Sequence, residues 1–478
     1  MIWQSSWHDD WAGLRVAVLG LGKSGFSVAD TLRELGAEVT VFAGKAPTEL
    51  VDLLEVIGAG LILGDAVSDL PLDSSFDFVV VSPGFEPRHE LVLHFKSLKT
   101  PILTDIDLAW RLRDKTDKVA KWITITGTNG KTTTTELVTH MLTTAGHRAA
   151  ACGNIGNPIL DCIRDPDGYD FLVVELSSFQ LHYSHPISAV ASAFLNFAPD
   201  HIDWHGGQQN YFEDKSKIFN GTQSTIVYNQ NDLKTLEAAE AADVVEGCRA
   251  IAFTTAMPAI SMVGYVEEFL VDRAFLVDRY NSAIEIADES DLANIGVLSD
   301  HLKANVAAAT ALARAVDIDA VDLKNAIASF RLAPHRIQPV AEIDSVRYID
   351  DSKATNAHAA NASLSSFDSI VWIVGGLLKG VDPRDLLVTH AERLRAAVVI
   401  GKDTSLLTQL FAEVLPNLPI SVVTGEDVME QAVSLARIHA QPGDVVLLAP
   451  AAASMDQFAD YADRGTKFQM AVRGRKKS

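Results

Sequence analysis

Residues 121–135 read KWITITGTNGKTTTT, and the reading of this stretch decides the fold. Trp122 to Thr126 are β-branched or aromatic, which predicts a short buried strand. Gly127, Thr128, Asn129 and Gly130 break it, and Lys131, Thr132 and Thr133 lead into a helix predicted over 136–145. The unit is strand, glycine loop, helix. Such a junction takes phosphate because helix-start N–H groups lack intrahelical partners, the helix dipole favours an anion, and glycine lets the backbone approach. Lys131 is then expected on the β/γ-phosphates and the Thr132 or Thr133 hydroxyl on Mg2+. The usual nucleotide loop has its first glycine five positions before Gly130, where this chain has Ile125. Gly127 stands in for it.

The 478 residues are too many for one core, and about three domains of ~150 residues are expected. A hydrophobic share of 48% and a charged share of 21% are ordinary for a globular chain. With 40 Lys and Arg against 62 Asp and Glu, the net charge of -22 speaks against nucleic acid or an anionic membrane as partner. The basic run Arg473, Arg475, Lys476 and Lys477 reads as a solvated end. Cys152, Cys162 and Cys248 have no metal-ligand spacing and read as reduced, partly buried thiols. The N-terminal residues lack the pattern of a secretory leader and no window supplies a membrane span, so a cytoplasmic location without membrane insertion is expected.

Along the chain, Arg15 to Leu19 is a predicted strand running into Gly20-Leu21-Gly22-Lys23-Ser24-Gly25, then a helix to Leu35 and a strand from Glu38 to Phe42. A dinucleotide site would carry an acid after the second strand, where this chain has Ala43-Gly44-Lys45. What survives is a nucleotide-like fold whose helix start can take a diphosphate, with Lys45 for another anion. Strand-to-turn junctions at Ser82-Pro83-Gly84 and after Ile102 are ordinary punctuation or ligand contacts. The helix-like segment 106–118 closes this unit, with a boundary near residue 116.

In the central region the turn Cys152 to Pro158 is followed by a strand Phe171 to Val174 ending in Glu175, then by Ala189 to Leu195 ending in Asn196. Carboxyl ends of parallel strands line the crevice where ligands sit, so the loop, Glu175 and His201 can converge. A carboxylate and an imidazole beside a nucleoside triphosphate can hold a second Mg2+. Glu175 reads equally as a helix-start acid, and His201 as a turn residue bonded to Asp203. The last region repeats strand, glycine turn, helix at Ile370 to Val374, Ala397 to Ile400 and Val445 to Leu448, which predicts another doubly wound sheet. The fold class is therefore α/β with three domains: an N-terminal Rossmann-like domain (1–116), a central P-loop ATPase-like parallel sheet (117–332) and a C-terminal Rossmann-like domain (333–478).

GTNGKTT, ELSSFQL, the run Asn196 to Asp203, Tyr211 to Lys215, Pro334-His335-Arg336, DSKATN at 351–356 and SMDQF at 454–458 stand in the order and rough spacing of a known family. The chain resembles the Mur ligases, ATP-dependent enzymes that form amide bonds, from about Arg15 to Phe468. It is similar in particular to the branch that adds D-glutamate to UDP-N-acetylmuramoyl-L-alanine in peptidoglycan precursor synthesis. The resemblance implies that Lys131, Glu175, His201 and Lys215 are catalytic. It implies carbamylation of Lys215 by CO2, the carbamate lying near the second Mg2+ whose other protein ligands match Glu175 and His201. Without the resemblance Lys215 reads as a surface helix lysine, and Lys217 points elsewhere on the helix.

The same resemblance implies that ATP meets Gly127 to Thr133, Asn305, His335, Arg336 and Asp351. The UDP-sugar is implied at Gly22, Lys23, Ser24, Lys45, Ser82, Gly84, Asn154 and His201, and D-glutamate at Lys353, Thr355, Lys379, Ser454 and Tyr461. Leu302 stands where the family has asparagine, and Tyr461 where phenylalanine is commoner. A monomer is expected. A sister ligase with another amino acid and a folylpolyglutamate synthetase are the near alternatives. A nicotinamide oxidoreductase would explain Gly20 to Gly25 but neither the phosphate loop nor DSKATN, and a non-catalytic nucleotide switch would explain the loop alone.

Overall fold

The computed structural model describes residues 5–70, 75–296, 298–332, 334–378 and 382–474. Lys379 and the tail residues Arg475, Lys476 and Lys477 lie outside them. The chain builds three sheets. The first holds β1 (Arg15–Leu19), β2 (Glu38–Ala43), β3 (Gly60–Leu63), β4 (Phe78–Val81) and β5 (Ile102–Leu103) in the order β3-β2-β1-β4-β5, all parallel. The strand order reverses between β1 and β4, and their carboxyl ends open a crevice there.

The second sheet contains β6 (Lys121–Thr126), β7 (Ala149–Gly153), β8 (Phe171–Glu175), β9 (Ala191–Phe194), β10 (Thr225–Asn229), β11 (Arg249–Phe253), β12 (Met262–Val266), β13 (Phe269–Asp272) and β14 (Ile284–Ala287). Its order is β14-β13-β12-β11-β10-β9-β6-β8-β7, parallel except where β13 meets β12 and β14. β6 lies between β8 and β9, so the phosphate loop, Glu175 and Asn196 leave the same edge. Helices cover both faces of such a sheet, which is why Phe171–Glu175 is buried at all five positions rather than at alternate ones.

The third sheet joins β15 (Gln338–Ile343), β16 (Val346–Asp350), β17 (Ile370–Gly375), β18 (Leu394–Ile400), β19 (Ile420–Val423) and β20 (Val445–Leu448) in the order β15-β16-β20-β17-β18-β19. Only the β15–β16 hairpin is antiparallel. Its own reversal falls between β17 and β20.

By packing, the chain divides into two compact units. One comprises Met1–Phe197, Trp204–Asp288 and Ala304–Ile327, the other Ala198–Asp203, Glu289–Lys303 and Ala328–Ser478. The first two sheets share a unit because one apolar cluster runs from Val16 and Val18 through Ile106 and Leu108 to Trp122 and Phe194. Polar ties reinforce it: Arg164 bonds Asp30 and Glu34, Ser27 Oγ donates to Asp161 at 2.6 Å, and Tyr183 Oη donates to Phe85 O at 2.9 Å.

Two helices depart from their predicted spans, and the one read over 106–118 covers Asp105–Leu112. The helix after the phosphate loop covers Lys131–Thr144, five residues earlier than the 136 read from the sequence. Gly130, at φ 81°, ends the loop in the left-handed region, and the chain enters the helix at once. The threonines look extended in isolation, yet Thr133, Thr134 and Thr135 bury against the core and the helix accepts them.

Candidate active site

The phosphate loop is held by side chains from the neighbouring strand ends. Thr128 N donates to Asn196 O at 2.9 Å, Asn129 N donates to Asn196 Oδ1 at 2.8 Å, and Asn196 Nδ2 returns a bond to Asn129 O at 3.0 Å. Asn196 thus sets the loop as a second strand would. A Cβ on Gly130 would stand 2.2 Å from Asn305 Oδ1, so Asn305 lies directly against the loop.

Two lysines converge on one oxygen. Lys131 Nζ donates to Gly127 O at 2.8 Å and to Thr128 O at 3.0 Å, while Lys215 Nζ donates to the same Gly127 O at 2.8 Å and reaches Thr126 Oγ1 at 3.4 Å. Lys215 is 1% exposed, not the surface lysine that its helix pattern suggests. Its helix, Gln208–Ser216, turns that face inward, and Tyr211, one turn earlier, lies under the ammonium with its ring 5.0 Å away. Tyr211 Oη also contacts Thr128 Oγ1 at 3.2 Å.

Glu175, at the end of β8, is 2% exposed. Its Oε1 accepts from Asn154 Nδ2 at 2.8 Å, and its Oε2 is buried with no hydrogen-bond partner among the described residues. A buried carboxylate oxygen left open in this way fits a hard cation, and the hydroxyls of Thr132 and Thr133 are oxygen donors of the type Mg2+ takes. His201 belongs to the other unit; it sits at φ 52°, its N–H donates to Asp200 Oδ1 at 2.9 Å, and it is not among the residues that the first unit assembles.

The far face of the Lys215 helix is pinned by a cluster that the sequence reading missed. Asp214 Oδ2 lies 2.8 Å from both His182 Nδ1 and His205 Nδ1, and Lys217 Nζ donates to Asp214 Oδ1 at 2.6 Å. Burial alone would raise the Asp214 carboxyl, but the three donors outweigh it and hold it well below the usual carboxylate range. Lys217 does point away from Lys215, as expected, but it is part of this structural cluster. Its signal in the sequence was only the spacing of Asp214 and Lys217 along one helix end.

In the first sheet, a cavity of about 420 Å³ opens at the β1/β4 reversal. Gly22, Lys23, Ser24, Ser82 and Gly84 line it together with Asp65. Lys45 is exposed and does not line it; neither does Asn154, which donates to Glu175 at the end of β8.

The second unit holds the remaining expected residues that are described. His335 is buried, with Nδ1 2.6 Å from Asp350 Oδ2, and Lys353 N donates to His335 O at 3.2 Å. Asp351 is buried and accepts from Ser363 Oγ and, at 3.2 Å, from Ile337 N; burial pushes its carboxyl up to about 6 while these bonds and Arg336 pull it down. Lys353 Nζ lies 3.8 Å from the centre of the Tyr461 ring, a cation–π contact that the commoner phenylalanine would also make. Thr355 N donates to Lys353 O at 2.8 Å, and Ser454 is buried after β20.

Comparison with known proteins agrees with this arrangement. The family description "Mur ligase middle domain" matches residues 125–313, and "Mur ligase, glutamate ligase domain" matches 335–452. The chain is 50% identical to the UDP-N-acetylmuramoylalanine--D-glutamate ligase of Leifsonia xyli subsp. xyli, over 98% of this chain and 94% of the relative. It is 44% identical to the enzyme of the same name from Streptomyces coelicolor, over 97% and 99%. Among solved structures, the fold is shared with a pseudomurein peptide ligase type C from Methanothermus fervidus (TM-score 0.57, 16% identity, 96% and 100% covered). It is shared also with a MurF ligase from Thermotoga maritima in complex with ADP (TM-score 0.54, 16% identity, 99% and 99% covered). With a relative this similar spanning nearly all of both chains, the protein belongs to the Mur ligase family, in the branch of the D-glutamate ligases.

Proposed function

We propose that this protein joins the amine of D-glutamate to the carboxylate of UDP-N-acetylmuramoyl-L-alanine at the expense of ATP, in peptidoglycan precursor synthesis. The observation that carries the reading is the convergence of Lys131, Lys215 and the open Glu175 oxygen beside the glycine loop at one sheet edge. A carboxylate accepts an amine poorly. Transfer of the ATP γ-phosphoryl group to it yields ADP and an acyl phosphate, whose carbonyl carbon the free amine attacks; the new C–N bond forms, the nitrogen gives up one proton, the C–O bond breaks and phosphate leaves with the electron pair. Loop N–H groups and Lys131 neutralise the transferring charge. Thr132 or Thr133 and Glu175 would hold Mg2+, with His201 assigned to the same role by the family resemblance, and the ion would supply further positive charge to the phosphate oxygens.

Two ammonium groups on one carbonyl oxygen repel each other, and conversion of Lys215 to a carbamate by CO2 removes one positive charge and adds a metal-binding anion. The UDP group is assigned to the cavity at the β1/β4 reversal and D-glutamate to Lys353, Thr355, Lys379, Ser454 and Tyr461. Boundaries at 116 and 332, a monomer, and a cytoplasmic location where ATP and nucleotide sugars are made complete the reading. Among the described residues no helix is long and apolar enough to cross a membrane.

The test is ATP-dependent phosphate release with UDP-N-acetylmuramoyl-L-alanine and a panel of amino acids. D-glutamate should stand alone, and Lys131→Ala or Lys215→Ala should lower kcat by at least about 100-fold. Preference for L-alanine, L-lysine or meso-diaminopimelate would refute the assignment. Carbon-13 bicarbonate should give a carbamate resonance that Lys215→Ala lacks.

A further inference from the structure

The run Asp463-Arg464-Gly465 belongs to none of the phosphate, metal or amino-acid motifs, yet Arg464 is the best-connected buried cation of the second unit's site region. Its side chain, in the helix Tyr461–Arg473, is 0% exposed. Nε donates to Ser352 Oγ at 2.9 Å, Nη2 to Ser352 O at 2.8 Å, and Nη1 to Ala452 O at 3.1 Å. Ser352 Oγ in turn donates to Tyr461 O at 2.7 Å. These acceptors sit beside the amino-acid site: Ser352 precedes Lys353, Ala452 lies two residues before Ser454, and Tyr461 is itself a member. Ala453 and Leu377 exchange two backbone bonds of 2.9 Å, which extends the tie to the loop after β17.

The close seat of this helix is enforced next door. A Cβ on Gly465 would stand 2.2 Å from His335 Nδ1, so any larger side chain there would push the helix away. All of the guanidinium's hydrogen bonds go to neutral oxygens. A cross-link of neutral oxygens needs no charge, and burying one is expensive. Burial pulls the group down to about 10, so it stays protonated at neutral pH; the carboxylates of Asp456, Asp350 and Asp351 act on it without touching it. All three are engaged elsewhere, Asp350 with His335 and Gln469, Asp351 with Ser363, and Asp456 with the backbone N–H of Lys402 at 3.0 Å. The guanidinium offsets these three carboxylates, so that an incoming amino acid with two carboxylates of its own meets less repulsion behind the site.

We infer that Arg464 is a positioning residue for D-glutamate: it holds the segments bearing Lys353, Ser454 and Tyr461 at one spacing and sets a buried positive charge behind them. The inference rests on D-glutamate being the amine substrate, which the wild-type panel decides by itself. Arg464→Met should raise the KM for D-glutamate by about 10- to 100-fold, with kcat and the KM values for ATP and the UDP-sugar within about threefold. Arg464→Lys, which keeps the charge and loses the fork, should recover part of that loss. Ser352→Ala, which keeps the guanidinium and removes the bridge to Tyr461, should raise the same KM by about 3- to 10-fold. A D-glutamate KM within about twofold of wild type in Arg464→Lys and Ser352→Ala would overturn the inference, even if Arg464→Met does not fold. So would all three KM values rising together with a falling Tm, with Lys no better than Met.

Discussion

Asp105 shows how much of this protein's chemistry depends on what surrounds a single carboxyl group. It is buried beside Gln180, whose Nε2 reaches its Oδ1 at 3.4 Å, and its Oδ2 has no partner among the described residues. Burial pushes its carboxyl up to about 6. The native state therefore binds this proton more tightly than the unfolded chain, and the stability so gained is present below about pH 4 and lost as the pH rises through 6. Asp105→Asn should stabilise the protein at pH 8, by up to about 3 kcal/mol, and make little difference at pH 4, as urea unfolding at the two pH values will measure. Glu175 is the contrasting case. Its open oxygen points to a ligand, so Glu175→Gln should weaken Mn2+ binding in the presence of an ATP analogue while leaving the fold intact.

At the scale of elements, a loop, a helix and a strand end work as a set. Gly130 needs its left-handed backbone and has no room for a side chain against Asn305. Gly130→Ala should raise the KM for ATP by at least about tenfold and cost on the order of 1–2 kcal/mol of stability. The helix Gln208–Ser216 presents Lys215 inward because Asp214, on its other side, is gripped by His182, His205 and Lys217. Asp214→Asn should cost about 2–4 kcal/mol at pH 7 and reduce kcat through misplacement of Lys215. Because the native Asp214 is held below the usual range, this contribution is present above about pH 4 and fades as the pH falls, so the gap between variant and wild type should close in acid. Gly127, Gly130 and Lys131 were legible because glycine and lysine at those offsets have few other uses. Asn196 and Tyr211 stood in legible motifs, but their contacts with the loop were not legible, since an asparagine after a strand and a tyrosine in a helix have many uses.

The whole molecule repeats one solution three times: a largely parallel sheet whose strand order reverses, with candidate site residues at the carboxyl ends of its strands. The first sheet has its cavity between the turns after β1 and β4, the second its loop after β6, and the third the segments after β16 and β20 that carry the residues proposed for D-glutamate. Ligands that bind the native state stabilise it by mass action, by about 2.7 kcal/mol at a hundredfold excess over Kd. A non-hydrolysable ATP analogue with Mg2+ should therefore raise Tm by on the order of 3–5 °C, and Lys131→Ala should abolish the shift.

The sequence by itself determined the three-part α/β architecture, the phosphate loop and, through motifs spread over nearly the whole chain, the family. Those features are written in local runs whose spacing is set by the periods of strand and helix and by the conformational freedom of glycine. The tertiary structure alone decided that Lys215 is buried on the same oxygen as Lys131, that Glu175 keeps an open oxygen, and that the first two sheets share one core. Each is a relation between residues far apart in the chain, and burial and hydrogen-bond partners exist only once distant segments have packed.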